Sequence, residues 1–317
     1  MSQELKNKNL RTRAKIIADI RAFFAARDVI EVETPLLSHG TITDPHIQAI
    51  PAFFKQDLSS EQITTVYLQT SPEYAMKRLL SEGIGSIYQI CKAFRQGEKG
   101  KYHNPEFTMI EWYRVGFDHH DLMQEMDELL QAVIKTKPAL KLSYAEMFEK
   151  YLGINPHKAS EKELIQCAQK NKIDLASHLS DRDAWLSLLM SHCIEPKLGP
   201  EEPVFIYDFP ASQAALAKIR SDKLASRFEL YYKGIELANG FHELSDAKEQ
   251  RKRFDADLAY RFENNLPVVP VDERLLTALE KGLPDCAGVA LGIDRLIMLA
   301  LSQEKIQAVL SFDFANA

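Results

Sequence analysis

The feature that most constrains the fold is a pair of strand-like runs in the first half of the chain. Ser86 to Phe94 and Glu106 to Phe117 are rich in apolar, β-branched and aromatic residues, and the charged, glycine-containing stretch QGEKGKYHNP separates them. Two such runs joined by a loop of this kind predict a long antiparallel hairpin. Helical patterns occupy much of the remaining chain, so the hairpin favours a mixed α+β fold with an antiparallel sheet flanked by helices.

The second run of this hairpin carries an unusual set of side chains on one face. Alternate residues of a strand point the same way, so Phe107, Met109, Glu111 and Tyr113 share a face. Arg95 lies across the hairpin and can offer a bidentate guanidinium to phosphate or carboxylate. Charged residues on an arbitrary hairpin are usually only solvated. The density of aromatic, acidic and basic groups favours a binding site here.

The N-terminal third contains two helical and two strand-like patterns. Apolar residues at helical spacing predict a helix over Arg11 to Arg27, and Val29 to Thr34 reads as a strand closed by Pro35. Thr64 to Gln69 predicts a short strand. A helix then runs to Leu80, with Ser71 as its N-cap, Pro72 in its first turn and Glu73 after it.

The remainder of the chain changes character twice. From about residue 121 to 182 it is rich in polar helices, one of them opened by a capping box at Ser160 and Glu163. The later predicted elements are strands at Val204 to Phe209 and Phe228 to Leu237, helices at Ser245 to Asn264 and Glu273 to Lys281, and an apolar stretch at Gly288 to Leu301. We predict a single domain over residues 1–317 with a helix-rich insertion at about 121–199.

Two further groups of residues have chemistry to offer. In FELYYKGIELANGFHEL, Glu229 and Glu236 present carboxylates suited to Mg²⁺, while Asn239 and Glu243 suit an amine-bearing ligand. In GVALGIDR, the small residues from Gly288 precede a helix and permit close approach of a ligand to the backbone. Each pattern is weak evidence alone, because acids on strands are usually solvated and glycine-containing turns before helices are common.

Composition limits the class of protein. The 317 residues include 39 Lys and Arg against 45 Asp and Glu, a formal net charge of -6 that disfavours nucleic acid as the chief ligand. Four widely spaced cysteines form no zinc or disulfide pattern, the polar N-terminus lacks the apolar core of a signal peptide, and no window has the roughly 20 apolar residues that a membrane span needs. We therefore expect a cytoplasmic protein with no membrane partner.

Taken in order, these patterns resemble the three signature motifs of class II aminoacyl-tRNA synthetases. The helix at Arg11 to Arg27 with the strand ending EVETP resembles the first motif. The run FR…HNPEFTMIEWY resembles the second motif, and GVALGIDR resembles the third. The resemblance covers roughly Arg11 to Phe314 and extends to the SPE and ELANGFHEL runs of the lysyl-tRNA synthetase catalytic domain. It implies a class II synthetase-like catalytic domain that uses ATP and Mg²⁺ and forms a homodimer through its first motif.

The N-terminus separates this chain from the lysyl-tRNA synthetases themselves. Those enzymes carry an anticodon-binding barrel ahead of the first motif, whereas here the first motif begins at Arg11. We therefore expect no anticodon-binding domain and no tRNA acceptor. The chain resembles the truncated paralogues, the elongation factor P–(R)-β-lysine ligases. That resemblance implies activation of (R)-β-lysine as an adenylate and its transfer to a lysine side chain of elongation factor P.

The resemblance also assigns roles to individual residues. Arg95 is implied to hold the α-phosphate and the substrate carboxylate, and Arg295 to cover the adenine opposite Phe107 and reach the γ-phosphate. The residues implied to bind ATP are Arg95, Gln96, Gly97, His103, Asn104, Phe107, Glu236, Leu237, Gly292 and Arg295. Those implied to bind the lysine-type substrate are Ser71, Glu73, Glu111, Tyr113, Asn239, Glu243 and Ala290. Glu229 and Glu236 are implied to hold Mg²⁺.

Two departures from lysyl-tRNA synthetases bear on specificity. Ala290 replaces a glycine of the third motif, and its methyl group is expected to favour β-lysine over α-lysine; the β-lysine ligases share this alanine. After Arg95 the chain has Gln96-Gly97-Glu98 where Asn-Glu is usual, so Glu98 must shift if a carboxylate is to contact the adenine. Two alternatives stay open: a stand-alone lysyl-tRNA synthetase-like enzyme that charges tRNA or another acceptor with lysine, and an inactive regulatory paralogue.

Overall fold

A computed structural model of the chain describes residues 3–57, 59, 61–173, 179 and 181–317. The chain divides into two compact units. The first unit comprises Met1–Gly116 together with Leu244–Ala317, and the second unit comprises Phe117–Glu243. The single domain with an insertion at about 121–199 stays a prediction.

The N-terminal part of the first unit begins with a long helix and ends with a hairpin. Its elements are α1 (Gln3–Ala25), β1 (Ile30–Glu31), β2 (Leu37–Ser38), β3 (Ile50–Phe54), β4 (Thr64–Leu68), α2 (Glu73–Ser81), β5 (Ile87–Phe94) and β6 (Glu106–Val115). The predicted hairpin is confirmed, because β5 and β6 pair in antiparallel orientation. Their register runs from Phe94 opposite Glu106 to Ile87 opposite Tyr113.

Helix α1 covers one face of this hairpin. Phe24, fully buried, stacks on Tyr88 at 4.7 Å between ring centroids and contacts Trp112 edge-on at 5.3 Å. Because Trp112 points toward α1, the alternation of the strand turns Glu111 and Tyr113 to the opposite face. The helix thereby leaves the polar face of β6 free to form a site.

Three boundaries near the N-terminus differ from the prediction. Helix α1 begins at Gln3 rather than Arg11, because its first turns are mostly polar and apolar spacing could not reveal them, although Asn9 there is buried and donates to the Ala308 carbonyl. The predicted strand from Val29 to Thr34 is reduced to β1, which pairs in parallel with only two residues of β5. Helix α2 begins at Glu73, one residue after Pro72, although the Ser71 hydroxyl does accept a bond from the Glu73 N–H at 3.0 Å.

Among its described residues, the second unit combines four α-helices with four strands. Its elements are α3 (His119–Ile134), β7 (Leu140–Ser143), α4 (Tyr144–Leu152), α5 (Glu161–Lys170), α6 (Arg182–Leu189), β8 (Val204–Pro210), β9 (Leu224–Tyr232) and β10 (Ile235–His242). The strands lie in the order β10-β9-β8-β7, with β7 parallel to β8 and the other pairs antiparallel. The capping box predicted at Ser160 and Glu163 is confirmed at the start of α5.

The single strand predicted from Phe228 to Leu237 is wrong. The chain reverses at Lys233 and Gly234, whose φ angles are 53° and 71°, and β9 and β10 form a hairpin around them. Positive φ at both central residues is the turn geometry that two-residue hairpins favour. The reversal was not predicted, because lysine is not a typical first residue of such a turn.

The chain completes the first unit with α7 (Ala247–Glu263), α8 (Glu273–Lys281), β11 (Cys286–Gly292) and α9 (Ile293–Ala300). Strand β11 pairs antiparallel with β6, so the first unit contains strands in the order β1-β5-β6-β11 beside a separate sheet β2-β4-β3. The antiparallel pairs and flanking helices confirm the predicted α+β class. None of the described helices is both long and apolar enough to span a membrane.

Candidate active site

The polar face of β6 carries a buried network around Glu111. Ser71 donates its hydroxyl proton to one carboxylate oxygen at 2.6 Å, and Tyr113 donates to the other at 2.5 Å. Glu111 is 2% exposed and Tyr113 is 1% exposed. The prediction that Glu111 and Tyr113 share a face with each other is therefore confirmed, and the start of α2 brings Ser71 to the same place.

Burial changes the acidity of this network. It raises the pKa of Glu111 to about 7, and the negative charge of the nearby Glu73 adds to the effect. Glu73 in turn accepts a bond from the buried Lys77 ammonium one helical turn later, at 2.5 Å. Two carboxylates and one buried ammonium thus occupy a small volume, an arrangement whose remaining negative charge suits a cationic ligand.

Two neighbours of Glu111 complete this face. Ala290 on β11 and Gln89 on β5 lie directly opposite Glu111 in the strand registers, one on each side. Gln89 is 2% exposed, and its side-chain oxygen is buried with no hydrogen-bond partner among the described residues. The sequence interpretation included Ala290 but missed Gln89 and Lys77. A polar residue within the apolar run of β5 was the one available signal for Gln89.

Arg95 lies at the end of the hairpin, where it was predicted. Its guanidinium carbon is 5.1 Å from the centroid of the Phe107 ring, and its Nη1 is 3.5 Å from a carboxylate oxygen of Glu98. Glu98 therefore does reach the guanidinium despite its shifted position in the sequence. Gly97, between them, has a φ of 83°, which a non-glycine residue adopts only with strain.

Residues of the C-terminal region, on α9 and after it, contact the loop between β5 and β6. Arg295 donates to the Tyr102 carbonyl at 3.2 Å and its Nη2 lies 2.7 Å from Nε2 of His103. Burial lowers the pKa of His103, and the positive charge of Arg295 lowers it further.

Asn104 donates to the Glu106 carbonyl at 2.6 Å and accepts from the Phe314 N–H at 3.0 Å. Gly292 directly precedes α9, which carries Arg295.

A buried clamp fixes the start of α9. Asp294 accepts from Arg13 of α1 at 2.5 Å and from the backbone N–H of Thr108 at 2.7 Å. Arg13 also donates to the Thr108 hydroxyl at 2.8 Å. The clamp joins α1, β6 and α9, and so sets where Arg295 and Phe107 stand. Sequence reasoning missed this clamp because its members are far apart in the chain.

The acidic cluster of the second unit is held on one face of the β9–β10 hairpin. Asn239 lies opposite Glu229 and Glu236 opposite Tyr231, with a bulge after Glu236 that sets Leu237 out of register. Glu229 accepts from Arg227 and from the Tyr231 hydroxyl, both at 2.5 Å. The strand register thus places Glu229, Glu236 and Asn239 on one face of the hairpin, while their role in binding stays a prediction.

The chemistry of this cluster can accommodate a hard cation. The carboxylates of Glu229 and Glu236 are the ligand type that Mg²⁺ takes together with water and nucleotide phosphates. No group of three or more metal-ligating side chains occurs among the described residues, so a Mg²⁺ ion at Glu229 and Glu236 would take its other oxygen ligands from water or nucleotide phosphates. Glu243, the residue after β10, is 2% exposed. Arg227, the charge partner of Glu229, was missed by the sequence interpretation.

Comparison with known proteins defines the class. The family described as tRNA synthetases class II (D, K and N) matches residues 1–315, and the chain belongs to it. The predicted class II synthetase-like catalytic domain is thereby confirmed.

Individual relatives narrow the class. A protein of Vibrio parahaemolyticus is 54% identical over 311 residues, 97% of this chain and 96% of its own length. Proteins of Vibrio cholerae and Haemophilus influenzae are 53% and 52% identical over 97% and 98% of this chain. All three are named elongation factor P–(R)-β-lysine ligase, and the chain belongs to that family. The family inferred from the motifs is therefore confirmed.

Proposed function

We propose that this protein activates (R)-β-lysine with ATP and transfers it to a lysine side chain of elongation factor P. The name of the relatives supports the substrate and the acceptor. The observation that carries the proposal in the structure is the buried acidic group of Glu73 and Glu111 beside Ala290, because a lysine-type ligand needs acids for its ammonium groups.

The proposed reaction has two steps. In the first, a carboxylate oxygen of β-lysine attacks the α-phosphorus of ATP, a P–O bond to the β-phosphate breaks, and pyrophosphate leaves. In the second, the acceptor amine attacks the carbonyl carbon of the adenylate, an amide bond forms, AMP leaves, and the amine loses a proton. The first step needs no general base, because the nucleophile is already an anion; positioning and charge stabilisation carry it.

The residues of the first unit have separate parts in this proposal. Arg95 stabilises the charge that builds up as pyrophosphate leaves, and Arg295 binds the terminal phosphate. Phe107 stacks on the adenine, while Gln96, Gly97, His103, Asn104 and Gly292 line the nucleotide. Ser71, Glu73, Glu111, Tyr113 and Ala290 bind the amino acid. The cation–π contact of Arg95 with Phe107 supports a common task for these two residues.

The residues of the second unit bind both substrates in this proposal. Glu229 and Glu236 hold Mg²⁺, which neutralises phosphate charge when it is bound. Leu237 contacts the nucleotide, and Asn239 and Glu243 bind the amino acid. The common face of Glu229, Glu236 and Asn239 supports this division.

We further propose that the protein acts as a cytoplasmic homodimer and does not charge tRNA. Support for an interface comes from exposed apolar side chains on the short strands of the first unit, with Ile30 and Leu37 48% and 50% exposed. Four free cysteines agree with a reducing compartment, and the net charge of -6 disfavours RNA. Light scattering of the purified protein tests the dimer.

Pyrophosphate exchange tests the activation step in isolation. With ATP, Mg²⁺ and (R)-β-lysine, the protein should catalyse exchange in the absence of any acceptor. Arg95→Ala and Arg295→Ala should each reduce the rate about 100-fold or more, the usual cost of removing a group that stabilises the transition state. Arg274→Ala, at an exposed arginine of α8, is the matched control and should leave the rate unchanged. Normal exchange by both active-site variants contradicts their assignment.

A further inference from the structure

The second unit contains a cavity that the proposed reaction does not use. It has a volume of about 500 Å³ and is lined by Asp118, His119, His120, Asp208, Lys218, Ile219, Arg220, Ser226 and His242. The lining comes from the N-terminus of α3, from β8 to β10 and from the segment before β9. His242 is the last residue of β10, and alternate residues of a strand face opposite ways, so its side chain points away from that of Asn239.

The acids of this cavity already have partners. Asp118 caps α3, accepting from the backbone N–H groups of His120 and Asp121 at 2.7 and 3.0 Å. Asp208 accepts two bonds from the Arg220 guanidinium, at 2.5 and 3.0 Å. Because these two carboxylates already accept hydrogen bonds, the groups that remain for a ligand in the cavity are mainly hydrogen-bond donors.

The donors of the cavity converge from three elements. Lys218 places its ammonium 3.1 Å from Nε2 of His242, and its carbonyl accepts from the backbone N–H of Ser226 at 2.9 Å. Ser226 also lines the cavity; it is 2% exposed, and its hydroxyl group can donate a hydrogen bond. The positive end of the α3 dipole lies at the same cavity, which favours negative charge there.

His119 supplies the observation that points to a ligand. It is 3% exposed, and neither of its ring nitrogens has a hydrogen-bond partner within the described part of the chain. Its Nε2 comes only to 3.5 Å from a carboxylate oxygen of Asp208. A buried imidazole in this state costs free energy, and an acceptor that enters the cavity recovers it.

The backbone at Asp208 is also unusual. Asp208 has a φ of 60°, and the register of β8 with β9 shifts between Tyr207 and Phe209. This bulge turns the Asp208 carboxylate toward Arg220 and His119. A left-handed conformation inside a strand is strained for a residue other than glycine, and such strain is concentrated at binding sites.

We propose that this cavity is a binding site for a small oxyanion, a phosphate or a carboxylate, held by Lys218, His242 and His119. Charge-assisted bonds from an ammonium and imidazoles suit both oxyanions. A metal ion does not fit, because the described residues contain no cluster of three or more metal ligands. The site is separate in its residues from the groups that we assign to ATP and β-lysine.

Histidine NMR tests this site directly. The ring ε1 protons are followed while inorganic phosphate or malonate is added to the Arg95→Ala protein, in which phosphate binding at the proposed ATP site is weakened. Sodium chloride at matched ionic strength is the reference. We expect saturable shifts of His119 and His242, assigned through His119→Gln and His242→Gln, while His39 and His192 stay unchanged. If only phosphate binds, the site is specific for a tetrahedral oxyanion. If both phosphate and malonate bind, the site accepts oxyanions in general.

Substitutions at one lysine make the test specific. Lys218→Met should weaken binding about tenfold or more, the equivalent of one lost charged hydrogen bond. Lys218→Arg should retain binding, and Lys197→Met, at an exposed lysine of the same unit, should not change it. The proposal is overturned if neither anion gives a saturable shift of His119, or if Lys218→Met leaves that shift unchanged in a folded protein.

Discussion

At the scale of single residues, Glu111 is the most informative group in the molecule. It is buried, bonded to Ser71 and Tyr113, and close to the charge of Glu73. A carboxyl group in such surroundings serves ligand recognition at the expense of stability. A substrate ammonium that binds there restores the charge balance.

The raised pKa of Glu111 makes a prediction about stability. Because the folded-state pKa of about 7 exceeds the ordinary 4.5, the folded protein holds this proton more tightly, and its stability falls as pH rises between these values. Glu111→Gln removes that slope. We expect the stability of the variant relative to the native protein to rise by on the order of 2–3 kcal/mol from about pH 5 to about pH 8.

Urea unfolding at a series of pH values measures this difference. Glu106→Gln, at an exposed acid on the same strand, is the matched control and should track the native protein. Parallel pH dependences of Glu111→Gln and the native protein contradict a raised pKa.

Ala290 makes a prediction about selectivity. Its methyl group lies opposite Glu111 across β11 and β6. Ala290→Gly opens space beside the proposed amino-acid site, and the preference for (R)-β-lysine over α-lysine should fall about tenfold or more, the usual effect of one methyl-sized contact. The ratio of kcat/KM for the two substrates in pyrophosphate exchange measures it.

The control for Ala290→Gly lies on the same strand. Ala287 is fully buried and three residues away, so it faces the other side of β11. Ala287→Gly should lower stability without changing the substrate preference. An unchanged preference in Ala290→Gly shows that the methyl group does not set selectivity.

At the scale of elements, the site depends on how helices are held against the sheet. The clamp of Arg13, Thr108 and Asp294 joins α1 and α9 to β6. Alternation on β6 was readable from the sequence, so the face with Glu111 and Tyr113 could be predicted. The clamp could not, because local patterns do not show which arginine meets which aspartate across 281 positions.

The clamp can be tested through stability. Asp294 is 1% exposed, and Asp294→Asn leaves the Arg13 guanidinium without its charge partner. Breaking a buried ion pair on one side costs about 3–5 kcal/mol. We expect a loss of this size in urea unfolding, whereas Asp19→Asn on the exposed face of α1 should change stability little. Equal stability of the two variants contradicts a structural role for the clamp.

The second unit offers a test of a tight backbone approach. Gly199 has a φ of 61°, and a Cβ atom placed on it would lie 2.8 Å from the Tyr231 carbonyl oxygen. Gly153, at the end of α4, has a φ of 69° but no atom within 4 Å of such a Cβ. Gly153→Ala should cost about 1 kcal/mol from the left-handed backbone alone.

Gly199→Ala should cost about 1–3 kcal/mol more than Gly153→Ala, because it adds overpacking against β9. Thermal or urea unfolding of the two variants measures the difference. Similar losses in both would show that the chain at Gly199 can move away from β9 at little cost. The close approach at Gly199 was not visible in the sequence, because Leu198 and Pro200 beside it give no sign of the contact with β9.

At the scale of the whole molecule, the sequence motifs indicate the class of protein, while contacts in the folded chain determine the details of the site. Three ordered motifs sufficed to predict the α+β class and the family, because each motif combines an element with chemically specific residues. The β9–β10 reversal at Lys233 and the partners Gln89, Lys77 and Arg227 needed the fold. Strand alternation indicates which residues share a face, but contacts between distant segments determine which charges are neutralised and which carboxyl group is protonated.

The choice of acceptor separates this protein from a synthetase that charges tRNA, and a competition reaction tests that choice. The protein is incubated with ATP, Mg²⁺, (R)-β-lysine and equal amounts of elongation factor P and lysine tRNA. We predict that intact-mass analysis shows one β-lysyl group added to elongation factor P, on a lysine side chain, while the tRNA stays uncharged. Charging of the tRNA with no mass gain on elongation factor P would contradict the account.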